Sequence, residues 1–139
     1  MHGILGRDET GGVTPQDTLA LADRLFAAIE AGDTAAVAEL YAPDVKVWHN
    51  YDQIEQERDA NLATLGWMSR RVKGVRYEEV RRELLPDGFL QQHVLRGTAP
   101  DGSALEVPAI LRIYCADGTI RRIEEYLDTA QVASLMRKG

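Results

Sequence analysis

Apolar residues recur at spacings of three and four between positions 15 and 31, where Leu21, Leu25 and Ala28 alternate with Ala22, Phe26 and Ile29. That period belongs to a helix with one buried face. Thr14-Pro15 starts it, with threonine as N-cap and proline at the first helical position. Gly32 ends it, and Asp33 caps a second, short helix that buries Val37, Leu40 and Tyr41. Pro43-Asp44 then turns the chain into a strand whose alternation puts Val45, Val47 and His49 on one face and Lys46, Trp48 and Asn50 on the other. Asp52, with Glu55 three residues later, is a capping-box pattern and predicts a third helix over about 53 to 71. Its core-facing stripe runs through Ile54, Arg58, Asn61, Leu65, Met68 and Val72. Burying its polar members unpaired would cost about 1–3 kcal/mol each. Either Asn61 meets a partner or a wet cavity, or the stripe drifts, Leu62 takes the inner place and Asn61 is half exposed.

After Gly74 the pattern changes to strands separated by turn residues. The predicted strands run over 75–85, 89–99, 105–115 and 119–127. Pro86-Asp87-Gly88, Pro100-Asp101-Gly102-Ser103 and Ala116-Asp117-Gly118 form the links, too short for parallel crossovers, so an antiparallel meander follows. The third of these strands is apolar on both faces, with Val107, Ala109, Leu111 and Ile113 on one side and Ile110 and Tyr114 on the other. A sheet apolar on both sides is covered twice, here by the helices and by a second subunit. The tail over 128–136 predicts a short helix that packs by Val132, Leu135 and Met136. The fold class is therefore α+β, a cone-shaped curved antiparallel sheet with the three N-terminal helices on its concave face and a pocket at the open end.

Composition narrows the function classes. With 139 residues, of which 45% are hydrophobic, the chain is one domain's length. Residues 1–13 carry four glycines and read as a flexible leader that includes His2, and 14–139 form the single domain. No apolar run approaches the ~20 residues of a membrane span or the length of a signal peptide, so a cytoplasmic location without membrane contact is expected. The net charge of −6, with Arg and Lys interleaved among acids, speaks against nucleic acid as a partner. Strands rich in arginine then read as solvated faces or ion-pair ladders. One cysteine and three scattered histidines make no metal-ligand pattern, and no cofactor is called for.

The stretches LFAAIEAGDTAAVAELYAPDVKVWH and DGTIRRIEEYLD, and the order of elements over about 17 to 130, resemble the nuclear-transport-factor-2-like superfamily in its SnoaL-like, ketosteroid-isomerase-like branch. This cystatin-like cone hosts cyclases, dehydratases, epoxide hydrolases and non-catalytic proteins, so the resemblance implies the fold more than a reaction. Counted without gaps, the position of ketosteroid isomerase's general base falls on His49. The same count puts Leu25 and Ile110, or a neighbour if the strand register slips, where that enzyme has its two oxyanion-hole donors. With both donors absent, steroid-ketone isomerisation itself is disfavoured. The three-residue cluster of limonene epoxide hydrolase is not assembled either, since Arg112 has no acidic pair on its own strand.

The candidate catalytic residues are His49, as a base, and His93. His93 shares a strand face with Phe89, Gln91 and Leu95. If that face is concave, His93 stands opposite His49 as acid to its base; if it is convex, His93 belongs to an interface or the surface. Tyr41, Asn61, Trp48 and Tyr51, with Leu25 and Ile110, are the candidate substrate-binding residues, Trp48 and Tyr51 as rim or packing. Asp52 reads as a helix cap and Glu106 as solvent-facing. The expectation is a homodimer, paired through the convex sheet face, whose pocket takes a small, mostly apolar organic molecule with few polar groups. Cofactor-free acid/base work is one outcome and a non-catalytic binding or scaffold protein the other. Two or more polar groups converging in the pocket would favour catalysis.

Overall fold

The computed structural model of the chain describes residues 14–136. The leader over 1–13, with His2, lies outside them, as does the side chain of Met136. Helix α1 (Pro15–Ala31) starts as its sequence dictates: Thr14 Oγ1 accepts from the Asp17 N–H at 3.2 Å and the Asp17 carboxylate accepts from the Thr14 N–H at 3.3 Å. Gly32 ends it in the left-handed region (φ 71), and a Cβ there would meet Ser69 Oγ at 2.3 Å. Asp33 caps α2 (Thr34–Leu40) by accepting from the Ala36 N–H. Strand β1 (Tyr41–His49) follows directly, two residues ahead of the Pro43-Asp44 turn expected from sequence.

The region after β1 differs from the sequence reading. Residues 50–54 turn, and β2 (Glu55–Glu57) returns antiparallel beside Lys46, Val47 and Trp48. Helix α3 (Arg58–Arg71) begins only then, behind Glu57, which makes no side-chain cap bond. Asp52 is therefore no helix cap; its Oδ1 accepts from the Ile54 N–H at 3.0 Å and closes an Asx turn, with Gln53 at φ 56. Ile54 is exposed in that turn instead of opening a buried stripe.

Strands β3 (Lys73–Leu85), β4 (Gly88–Thr98), β5 (Ala104–Ala116) and β6 (Thr119–Leu127) form the predicted meander. The whole sheet is six-stranded, in the order β2-β1-β6-β5-β4-β3, curved and unclosed. It is mixed, because β1 lies parallel to β6. The three helices cover one face, where Leu25, Phe26, Val37 and Val45 pack with Phe89, Leu111, Ile113 and Ile123. A 3₁₀ helix (Thr129–Met136) closes one end by burying Leu135 with Val72, Leu105 and Val107. The arginine-rich strands carry ion-pair ladders: Arg96 bridges Glu78, Glu79 and Glu106, and Arg122 bridges Glu55 and Glu124. Among the described residues no helix is long and apolar enough to cross a membrane.

Candidate active site

Between the helices and the inner sheet face lies a cavity of about 280 Å³. Its wall is mostly apolar, from Leu25, Phe26 and Ile29 on α1 through Leu65 and Met68 on α3 to Val107, Leu111 and Ile123 on the sheet. Into this wall the strands insert a few polar side chains. On β1 the alternation holds, and His49 points inward beside Val47. The parallel pairing of β1 with β6 makes Glu125 the direct neighbour of His49. Glu125 follows Ile123 by two residues and so shares its inward face. The outcome is a close polar contact, 3.1 Å between His49 Nε2 and Glu125 Oε1, with the imidazole almost wholly buried. A carboxylate only accepts, so this contact favours a proton on His49 Nε2; a neutral ring of that tautomer has its lone pair on Nδ1. Tyr51, at the rim, lies with its ring 5.2 Å from that of His49.

A second polar group forms where α3 meets β1. Tyr41 donates its hydroxyl to Asn61 Oδ1 at 2.7 Å, Asn61 Nδ2 donates to Gln56 Oε1, and Gln56 Nε2 donates to Thr64 Oγ1. Asn61 is thus buried and satisfied, the first of its two sequence alternatives. His93 resolves the same way: Phe89, Gln91 and His93 are buried on the concave face, and His93 lines the cavity. Its ring meets Tyr77 edge-on at 4.6 Å and Phe26 at 5.8 Å. The Tyr77 hydroxyl has no hydrogen-bond partner among the described residues although the side chain is enclosed in the cavity wall.

Two of the residues expected at the pocket lie elsewhere. Ile110 faces the convex side opposite Tyr126 and Gln92, and its neighbours Ala109 and Leu111 line the cavity in its place. Trp48 also points outward, its ring 5.3 Å from that of Tyr126. Leu25, Tyr41, Tyr51, Asn61, His49 and His93 all reach the cavity. Sequence reasoning passed over Glu125, Tyr77 and Gln91. For Glu125 a signal existed, a carboxylate at the centre of the apolar run Ile123, Glu125, Leu127. Among the described residues no group of three or more His, Cys, Asp or Glu is placed to hold a metal ion.

Burial sets the protonation of several groups. It pushes Tyr41 and Tyr77 well above the ordinary phenol value, with the Glu125 charge adding to it, and pushes the Cys115 thiol up to about 11. It also holds His93 below the ordinary imidazole value; nearby Arg82 acts in the same sense and Glu125 against it. For the raised groups the unfolded chain loses protons first, so their stabilisation is complete below their unfolded values and falls as pH rises. For His93 the unfolded chain gains a proton first, so stability falls as pH drops through the acid range. Urea melts are expected to weaken progressively above about pH 9 and below about pH 6.5. A midpoint constant across both windows would show that these groups are not enclosed.

The comparisons with known proteins agree with this architecture. The SnoaL-like domain model matches residues 22–123. A candidate polyketide cyclase from Xanthomonas campestris is 18% identical, with 88% of this chain and 98% of that one covered and a TM-score of 0.76. An NTF2-like protein from Burkholderia xenovorans is 19% identical, covering 89% and 98%, with a TM-score of 0.73. A hypothetical protein of ketosteroid isomerase-like fold from Catenulispora acidiphila, bound to trimethylamine, is 14% identical, covering 88% and 93%, with a TM-score of 0.73. At such identities the likeness is one of fold. No curated protein sequence matches the chain.

Proposed function

The chain belongs to the SnoaL-like domain family, and from that premise we propose that its cavity binds a small, mostly apolar organic molecule bearing a carbonyl group and moves a proton on it without a cofactor. The observation that carries the reading is the His49–Glu125 pair, 3.1 Å apart in a mostly apolar cavity. Glu125 holds the proton on His49 Nε2, so the Nδ1 lone pair serves as the base, and the carboxylate offsets the imidazolium that forms. Across the cavity His93 and Tyr77 offer neutral donors for the oxygen on which charge develops. They take the part of the two donors that ketosteroid isomerase would have at Leu25 and at a neighbour of Ile110, where this cavity has only apolar side chains. Proton removal beside a carbonyl is the step shared by isomerisation, aldol-type cyclisation and dehydration of such molecules. A cytoplasmic site of action belongs to the same proposal.

Trp67 lines the cavity and Trp48 does not, so Trp48→Phe leaves one tryptophan reporting on occupancy. Titration with 2-tetralone, a bicyclic ketone with acidic hydrogens beside its carbonyl, is expected to change the Trp67 emission saturably. An emission unchanged by a panel of cyclic ketones would count against the ligand class.

The homodimer is a proposal too. Trp48 and Tyr126 pack together on the convex face near Ile110, Val94 and Pro108, and Tyr126 is left 45% exposed. Such a patch is a reason for a covering partner. Sedimentation at micromolar concentration is expected to show a dimer that Ile110→Arg converts to a folded monomer. A monomeric wild-type protein would remove the interface.

A further inference from the structure

We propose that Asp23, Arg82 and Gln91 form a relay that locks His93 in its Nε2–H tautomer, making that wall of the cavity selective for ligands that place a hydrogen-bond acceptor there. Arg82 has donors only. It donates through one terminal nitrogen to Asp23 Oδ1 at 3.0 Å and through Nε to Gln91 Oε1 at 2.8 Å. Its guanidinium lies over the rings of Phe26 and Phe89, which fix its plane. The Gln91 amide, fully buried, must therefore turn its carbonyl toward Arg82 and its NH₂ away.

That NH₂ lies 2.9 Å from His93 Nδ1. An amide nitrogen has no lone pair to offer, so Nδ1 accepts and is unprotonated. The single proton of the neutral ring then sits on Nε2. Protonating Nδ1 as well would set N–H against N–H inside the core. The groups facing His93 are Arg82 and Tyr77 from β3, the Phe26 ring from α1, Ala109 from β5 and the Glu125 carboxylate from β6, with Glu79 and Arg81 on the convex side. Only Glu79 and Glu125 favour a cation. His93 is accordingly a donor of fixed sense and not the acid that a facing pair of histidines suggests. Asp23, Arg82 and Gln91 are positioning residues, acting through it. The ligand half of the inference rests on the cavity being the binding site proposed above; the tautomer half does not.

The test is a long-range ¹H–¹⁵N correlation spectrum of the ligand-free, ¹⁵N-labelled protein between about pH 5.5 and 8, with the His93 signals assigned by their loss in His93→Gln. A protonated-type Nε2 and an unprotonated-type Nδ1 across the whole range are expected. The reverse pattern, or an imidazolium at pH 7, would overturn the lock whatever the protein binds. Gln91→Glu presents only acceptors to Nδ1, so the pattern should invert or become that of the cation. Arg82→Met frees the amide to flip and should mix the tautomers, and Arg82→Lys, which still donates to the Gln91 carbonyl, should restore the wild-type pattern. Wild-type patterns in both Gln91→Glu and Arg82→Met would contradict the relay. If a variant does not fold, the wild-type spectrum decides alone. In the binding arm, a Gln91→Glu protein whose tautomer inverts should bind 2-tetralone about tenfold more weakly and 2-aminotetralin, whose ammonium is a donor, more tightly, whereas one that turns cationic should keep the ketone and reject the ammonium. A locked tautomer with equal affinity for the ketone and the ammonium compound would remove the selectivity.

Discussion

His49→Gln is expected to slow the exchange of the hydrogens beside the carbonyl of bound 2-tetralone, followed by NMR in deuterated water, by about 10²–10⁴-fold, the range for losing a positioned general base. Glutamine keeps an approximate shape and a donor for Glu125, so the protein should fold and still bind the ketone. Glu125→Gln should give a smaller loss, because it retains an acceptor for Nε2–H but no charge to offset the imidazolium. Together the two substitutions should cost little more than His49→Gln alone, since both act on one proton transfer. A His49→Gln protein that exchanges at the wild-type rate would make His49 a structural histidine and leave binding as the function. Lost stability with no separate effect on exchange would lead to the same conclusion.

The second large effect concerns the support of the site. Phe89→Ala is expected to destabilise the protein by ~3–5 kcal/mol, the range for deleting a buried aromatic ring. Phe89 is fully buried, opposite Ile113 in register, with the Arg82 guanidinium 5.6 Å from its ring. Set against a total stability of about 5–15 kcal/mol for a domain of this size, that is a large share. Urea unfolding should show a lower midpoint at constant slope. A loss under about 1 kcal/mol would mean that the layer between α1 and the sheet is not packed as described.

Why some of this was readable in the sequence and some was not follows from the range of the forces involved. The ends of α1 and α2 depend on residues within four positions of each other: Thr14 on Asp17, Gly32 on Ala28, Asp33 on Ala36. The meander was legible because each turn carries its own Pro, Asp or Gly. The segment over 53–57 misled because a short, polar edge strand, Glu55-Gln56-Glu57, has no apolar period. Its conformation is set by β1, to which it hydrogen-bonds, and Asp52 satisfies a turn as readily as a helix end. At the site, alternation correctly turned His49 inward. What alternation leaves open is which face of a strand is concave, so His93 stayed undecided, and the ungapped count that put Ile110 or a neighbour at the pocket fell one residue from the inward-facing Ala109 and Leu111. The Glu125 partner depends on β1 lying parallel to β6, and no local pattern encodes a parallel pairing of strands so distant along the chain. Gln91 and Arg82 look like ordinary strand residues until their bonds to His93 and Asp23 are seen.

The central claim is that this cavity takes a neutral carbonyl compound between the His49–Glu125 pair and the donors His93 and Tyr77. A crystal structure of the protein with 2-tetralone tests it most directly. The account predicts the ketone inside the cavity, its oxygen within hydrogen-bond distance of His93 Nε2 and its acidic carbon turned toward His49. A cavity empty at saturating ketone, or a ketone whose oxygen lies away from both His93 and Tyr77, would contradict it.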